Sequence, residues 1–367
     1  MKTYAGRPVS EYKGPIMNSG TALLGSRALM KVAVAALAVM VWALAPRVVA
    51  ARQSLPDKLT DQEFWRLSEQ FSEPNGSFRS DNLVSNELAF PSIIPGILAR
   101  VKPGGVYMGV GPEQNFHYIT VTRPKMAFIT DVRRGNLHLH LMYKALFELS
   151  ADRAEFVSRL LTKKRPANLG AQSTATELMN VYWDLPTSDE AAYKANLQAI
   201  DDQLVKKHGL ALSKDDLDGI EYVFHAFYWY GPAITYNSSA NGTSGGRTTW
   251  ADLMMSNDGR GNGSFLATEE SFAFLKDFET RNLLVPVVGN FAGPKALRAV
   301  GQYVRDHGAI VAAYYLSNVE QYLTQDGIWS NFCANVATFP LDVSSTFIRG
   351  WNGMSLGAMA SETAGCR

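Results

Sequence analysis

Cysteine is scarce in this chain: Cys333 and Cys366 alone occur among 367 residues, too few for a disulfide scaffold. An oxidising compartment permits one bridge between them, and two free thiols fit the sequence equally well. Net charge is nearly absent too. The 35 Lys and Arg face 34 Asp and Glu, so no global field draws the protein to nucleic acid or to an anionic membrane. Metal-ligand spacing is missing: His138 and His140 are two apart and point to different helix faces, while His117 and His225 lack companions, so no metal is expected. The run from Asn257 to Gly263 lacks the alternating acids and terminal Glu of a calcium loop and reads as a surface turn. No GxSxG elbow precedes a helix, which leaves hydrolase chemistry of that type unsupported. No fixed-period repeat is visible.

What the chain does have is a composition that is 46% hydrophobic, enough for one large or two small globular domains. It also has one long uncharged run. From Val32 to Ala45 there are 14 residues without charge, preceded by Lys31 and followed by Val48-Val49-Ala50. This is a basic n-region, an h-region and a small-residue exit, so residues 1–50 read as a signal peptide cleaved after Ala50. The run falls short of the roughly 20 residues of a comfortable span. If it is retained as a single N-terminal anchor, Lys2, Arg7, Lys13, Arg27 and Lys31 keep the N-terminus inside and the body outside. Either way the body is exported, and contact with the membrane is expected only through an uncleaved leader.

Residues 51–100 read as an N-terminal helical segment and polar loop: Leu59, Phe64, Leu67 and Phe71 recur at helical spacing behind Thr60, a candidate N-cap. In 101–165, Gly105–Met108 reads as a strand, Glu113–Val121 as a helix, and Lys125–Asp131 as a second buried strand before a long helix. Residues 166–282 read as a helical insertion carrying a flexible loop, with Ser213 and Asp216 forming a capping box. In 283–350 the alternation resumes, with strands at LLVPVVG, AIVAAYYLS and FCANVATFPLD, and 351–367 is a C-terminal tail. The fold class expected is α/β, a doubly wound and mainly parallel sheet with a helical insertion.

The stretch Gly109-Val110-Gly111 leaves a strand and lets backbone approach a ligand closely; a plain strand-to-helix corner needs the same glycines. Asp131 ends the next strand at the spacing where such folds place a carboxylate for ribose hydroxyls, and Arg133 beside it reads as a surface residue or as the partner of that acid. Ser317 and Glu320 fit either a capping box or, with Asn318, a substrate-facing rim at the carboxyl edge of the sheet. The loop holding Asp81 and Asn82 can fold over the site or satisfy only its own backbone.

The order GVGPEQN, AFITDVRR, VPVVGNFAGPKALRAVG and YYLSNVEQYL is similar to an uncharacterised bacterial family whose members resemble class I S-adenosylmethionine-dependent methyltransferases. The resemblance covers about residues 60–350. It implies a Rossmann-like fold in which Gly109 and Gly111 line the methionine part of the cofactor and Asp131 binds its ribose. Glu113, Asn115 and Asn290 take the remaining cofactor-side positions, Glu113 where a third glycine is usual and Asn290 where an acid is. Ser317, Asp81 and Asn82 are the substrate-side candidates, and Asn318 and Glu320 the catalytic ones. Two functions follow as expectations: a methyltransferase using S-adenosylmethionine, or an exported non-catalytic protein that binds a small-molecule ligand or a protein partner on the same fold. The leader favours the second, because that cofactor is made and kept in the cytoplasm.

Overall fold

A computed structural model describes residues 54–366, apart from 240–245 and 351–352, together with Gly14. The expected leader therefore lies outside the described residues, as does most of the Gly/Ser-rich loop. Among the described residues, no helix is long and apolar enough to cross a membrane.

The protein is α/β, built on one six-stranded sheet: β1 (Val106–Gly109), β2 (Met126–Asp131), β3 (Leu284–Val288), β4 (Val311–Ser317), β5 (Thr346–Arg349) and β6 (Ser355–Ala358). Its order is β3-β2-β1-β4-β5-β6, with every neighbouring pair parallel except β5 and β6. β1, β2 and β3 are buried along their whole length. Strands covered on both faces need apolar side chains on both, hence runs such as MAFIT and LVPVV rather than an alternation. The arrangement is compatible with a Rossmann-like fold, and the reversed edge strand distinguishes it from the all-parallel dinucleotide order. Strand order turns around between β1 and β4, and the carboxyl ends of the strands open there.

Helix α1 (Asp61–Phe71) begins at Thr60, whose hydroxyl and Glu63 form a capping box. After α2 (Ile94–Arg100), α3 (Gln114–Thr122) links β1 to β2. The next crossover is long. α4 (Arg134–Leu149), α5 (Arg153–Leu160), α6 (Ala175–Asp184), α7 (Glu190–Asp201), α8 (Lys214–Tyr230), α9 (Trp250–Met255) and α10 (Glu269–Thr280) all lie between β2 and β3. Phe116, Tyr143, Phe147, Phe156, Phe265 and Phe272 interlock in their core through edge-on and stacked contacts. α8 is pinned to α4 by Asp216, which accepts Arg134 Nε at 2.6 Å and Nη2 at 3.2 Å and pairs with His138 Nε2 at 2.9 Å. Gly219 permits that approach, for a Cβ there would stand 2.1 Å from His138 Nδ1. The expected surface turn forms, closed by a bridge between Asn257 and Gly263.

α11 (Ala296–Asp306) follows β3 and α12 (Val319–Gln325) follows β4. Two expectations need correction here. FCANVATFPLD is not the fifth strand: its first half lies in α13 (Trp329–Val336), where Phe332, Cys333 and Val336 fall on one helical face and bury it. The fifth strand is Thr346–Arg349. The tail supplies β6 and α14 (Met359–Glu362), and it is tied back where Cys366 bonds Cys333 across a Cα separation of 5.4 Å. Finally, the capping box at Ser317 does not form. Asn318 is the N-cap of α12 and makes no side-chain cap bond, while Ser317 belongs to the end of β4.

Candidate functional site

A cavity of about 250 Å³ opens at the carboxyl ends of β1 to β4, at the point where strand order reverses. Its floor is the turn after β1, with Val110, Gly111 and Pro112; its sides are Asp131 and Arg133 after β2, Asn290 and Phe291 after β3, and Tyr315, Ser317 and Asn318 of β4 and its exit. Ser77, Phe78, Asn82, Ser85 and Asn86 close over it from the segment between α1 and α2, and Tyr236 reaches it from the long crossover. The loop with Asp81 and Asn82 thus does fold over the cavity.

The two glycines of the GxG stretch have different tasks. Gly111 lies in the cavity wall at φ +73°, a conformation that L side chains rarely adopt. Gly109 does not line the cavity. It makes room for Asn115, whose Oδ1 would stand 1.8 Å from a Cβ at that position. Asn115 Oδ1 accepts the Tyr107 hydroxyl at 3.0 Å, and its amide nitrogen donates to the carbonyls of Val110, Gly111 and Pro112 at 2.9, 3.2 and 2.7 Å. It staples the turn from beneath. His140 Nε2 also meets the Gly111 carbonyl, at 2.9 Å. Burial holds His140 down near 4, so it is neutral at pH 7 and donates there.

Glu113 is buried beneath the turn as well. Its Oε1 accepts the Ser85 backbone N–H at 3.0 Å, which ties the covering segment to the floor. Burial pushes its carboxyl up to about 8, against the smaller pull of backbone N–H groups. At pH 7 it is a neutral acid.

Asp131 is in the wall, 7% exposed, and its charge is already matched. Oδ1 accepts the Arg133 backbone N–H at 2.9 Å and Nε at 3.2 Å, and Oδ2 accepts Nη2 at 3.3 Å. The same guanidinium donates to the Ser80 and Asp81 carbonyls, so one arginine joins the acid to the covering segment. Asp81 faces away from the cavity, its carboxylate accepting the Tyr222 hydroxyl at 2.6 Å. Asn82 faces in, at φ +48°.

Asn290 folds its Oδ1 onto the Ala292 N–H at 2.9 Å. Glu73 accepts the backbone N–H groups of Asn290, Lys295 and Ala296 at 3.0, 2.8 and 2.9 Å. It caps α11 and does not reach the cavity wall. Of the two catalytic candidates, Asn318 lines the cavity, whereas Glu320 is outside it and is clasped by Arg349, which Glu362 also binds.

Sequence reasoning missed the aromatic wall and one buried acid. Phe78 stands edge-on to Tyr322 at 5.2 Å, Arg79 donates to the Tyr322 hydroxyl at 2.6 Å, and Tyr315 and Tyr236 complete the enclosure. A lone phenylalanine in an otherwise polar loop was the signal available for Phe78. Glu87 accepts the Ser317 hydroxyl at 2.5 Å, and burial raises its carboxyl although hydrogen bonds from Ser317 and Tyr315 oppose this. Nothing local in the sequence links residues 230 positions apart. Among the described residues, no group of His, Cys, Asp and Glu has the arrangement to hold a metal ion.

No curated protein matches the chain. A family profile described as a domain of unknown function, DUF7790, matches residues 83–365, which takes in every residue of the cavity wall except Ser77, Phe78 and Asn82. The match spans well over half of the sequence, and the chain belongs to the DUF7790 family.

Proposed function

We propose that the cavity binds a nucleoside-type ligand, S-adenosylmethionine first among them, and that the protein is methyltransferase-like. The observation that carries this reading is the coincidence of three features at the strand-order reversal: the Gly111 turn, Asp131 at the end of the neighbouring strand, and an aromatic wall. The residues present fit such a group. Gly111 brings backbone to the cavity without a Cβ, Asp131 Oδ2 takes one bond from Arg133 and keeps lone pairs for a hydroxyl, and Phe78, Phe291 and Tyr315 offer apolar faces. The bound sulfonium would supply an electrophilic methyl group. The chain's own part is to orient it through Asp131, Arg133 and the covering segment and to keep water out.

Calorimetry on the full chain with S-adenosylmethionine and S-adenosylhomocysteine tests this. Micromolar binding that is lost in Asp131→Ala supports it, while no heat and no thermal shift with either compound removes it.

A second reading is an exported binding protein that keeps the fold without the chemistry. It is favoured by the pairing of Asp131 with Arg133 and of Glu320 with Arg349, which leaves neither acid free to act as a base. Binding without turnover, together with recovery of tagged full-length protein outside the cytoplasm, would select it.

A further inference from the structure

Ser317 stands where β4 turns sharply into α12, at φ +49°, an uncommon conformation for a residue with a Cβ. A second cavity, of about 420 Å³, adjoins the first, and Asn86, Ser317 and Asn318 form the wall that both share. Its remaining lining is uncharged but for Glu87, with Leu88, Ala89 and Met354 supplying apolar surface. Ser317 Oγ donates to Glu87 Oε1 at 2.5 Å, and the Tyr315 hydroxyl also bonds the Glu87 carboxyl. Gly350 makes this possible: a Cβ there would lie 1.9 Å from Glu87 Oε1, and its N–H donates to the Ser317 carbonyl at 3.0 Å. A serine on a sharp strand-to-helix turn, with a carboxyl positioned to take its proton, is the arrangement that nucleophilic catalysis requires, even though the flanking glycines of the usual signature are replaced by Tyr315 and Val319.

We propose that Ser317 is a nucleophile with Glu87 as its proton acceptor, and that it takes the acyl group of a small neutral ester held in the second cavity. Ser317 Oγ forms a bond to the ester carbonyl carbon as its proton passes to Glu87 Oε1. The bond from that carbon to the alcohol oxygen then breaks, and the alcohol leaves with the proton from Glu87. Water repeats the sequence on the acyl-serine, giving up a proton to Glu87 while the acid is released and Ser317 recovers its hydrogen. Asn318, whose amide makes no cap bond, lies on the same wall as a donor for the charge that develops on the carbonyl oxygen. The burial that raises the Glu87 carboxyl makes it a stronger base than an exposed glutamate. This inference does not depend on the nucleoside reading of the first cavity.

A biotinylated fluorophosphonate tests it on the full chain with no cofactor added. Attack by Ser317 Oγ on phosphorus expels fluoride, and the serine proton goes to Glu87. The expected result is one adduct, mapped by peptide mass spectrometry to Ser317, with no labelling of Ser317→Ala or Ser317→Gly and labelling of Glu87→Gln slowed by about 100-fold or more. An unlabelled wild type, an adduct on another residue, or a Glu87→Gln rate equal to that of wild type overturns it. Should Glu87→Gln fail to fold, the pH dependence of the wild-type rate decides. The groups that face Glu87 are Ser317, Tyr315 and, from β1 and α3, Tyr107 and Tyr118, all uncharged, so the rate should rise and level off as Glu87 ionises above the ordinary carboxylate range. A rate flat with pH overturns the assignment.

Discussion

Asn115 Oδ1 occupies the space in which a Cβ on Gly109 would stand, 1.8 Å from that position. The first glycine of the GxG stretch therefore serves the interior of the protein, and only Gly111 serves the cavity. Gly109→Ala should destabilise the protein by about 1–3 kcal/mol, the usual cost of overpacking. Adding Asn115→Ala should recover part of that loss by removing the clashing oxygen, so the two changes should cost less together than their sum. Urea denaturation of both single variants and the double variant measures this, and strict additivity would contradict the packing described.

Glu148 is almost fully buried between α4 and the turns after α7. Its Oε1 accepts Lys144 Nζ at 2.8 Å, and its Oε2 meets His208 Nε2 at 2.6 Å. Burial alone would raise its carboxyl, but the hydrogen bond from His208 and the charge and hydrogen bond of Lys144 hold it near 2. A carboxyl whose folded value is depressed gives stability that is complete above its unfolded value of 4.5 and is lost as pH falls toward 2. Thermal midpoints between pH 6 and 2 should fall through that window, and less steeply in Glu148→Gln. Parallel curves for the two proteins would refute the assignment.

Glu113 works in the opposite sense. Its folded value of about 8 exceeds the unfolded 4.5, so the unfolded chain gives up the proton first and stability declines as pH rises from 4.5 to 8. Glu113→Gln keeps a carbonyl oxygen for the Ser85 N–H and has no proton to lose. It should be more stable than wild type at pH 8 by roughly 4 kcal/mol and similar to it near pH 4. Denaturation at the two pH values decides, and a destabilised variant at pH 8 would mean that Glu113 is ionised in the fold.

The bond between Cys333 and Cys366 closes a loop across a sequence separation of 33 and secures the C-terminal segment behind β6. Loop-closure entropy for a ring of that length corresponds to about 3–4 kcal/mol. Cys333→Ser should lower the melting temperature in non-reducing buffer and abolish its sensitivity to dithiothreitol. Equal melting of the oxidised and reduced wild type would show that the link constrains nothing.

The apolar runs of β1 to β4 and the helical periodicities of α1, α4 and α11 were legible in the sequence because each is a local pattern that burial imposes on consecutive residues. FCANVATFPLD misled because a short apolar run fits a buried strand and a buried helix alike; in the fold, Phe332, Cys333 and Val336 are buried on one face of a helix. The site divides in the same way. Gly111 and Asp131 sit at strand ends that can be counted along the chain, and the structure brings both to one cavity wall. What the chain could not settle by itself is what each polar group meets: Arg133 on Asp131, one of two readings it left open, Arg349 on Glu320, Glu73 on the amide groups before α11, and Glu87 on Ser317. Each of those partnerships except the first joins residues far apart in sequence. Sequence alone determined the alternation of strands and helices, since hydrophobic periodicity is a local property. Tertiary structure decided which acids are neutralised, which are neutral, and which one lies against a serine, since those outcomes depend on burial and on neighbours that the chain supplies from elsewhere.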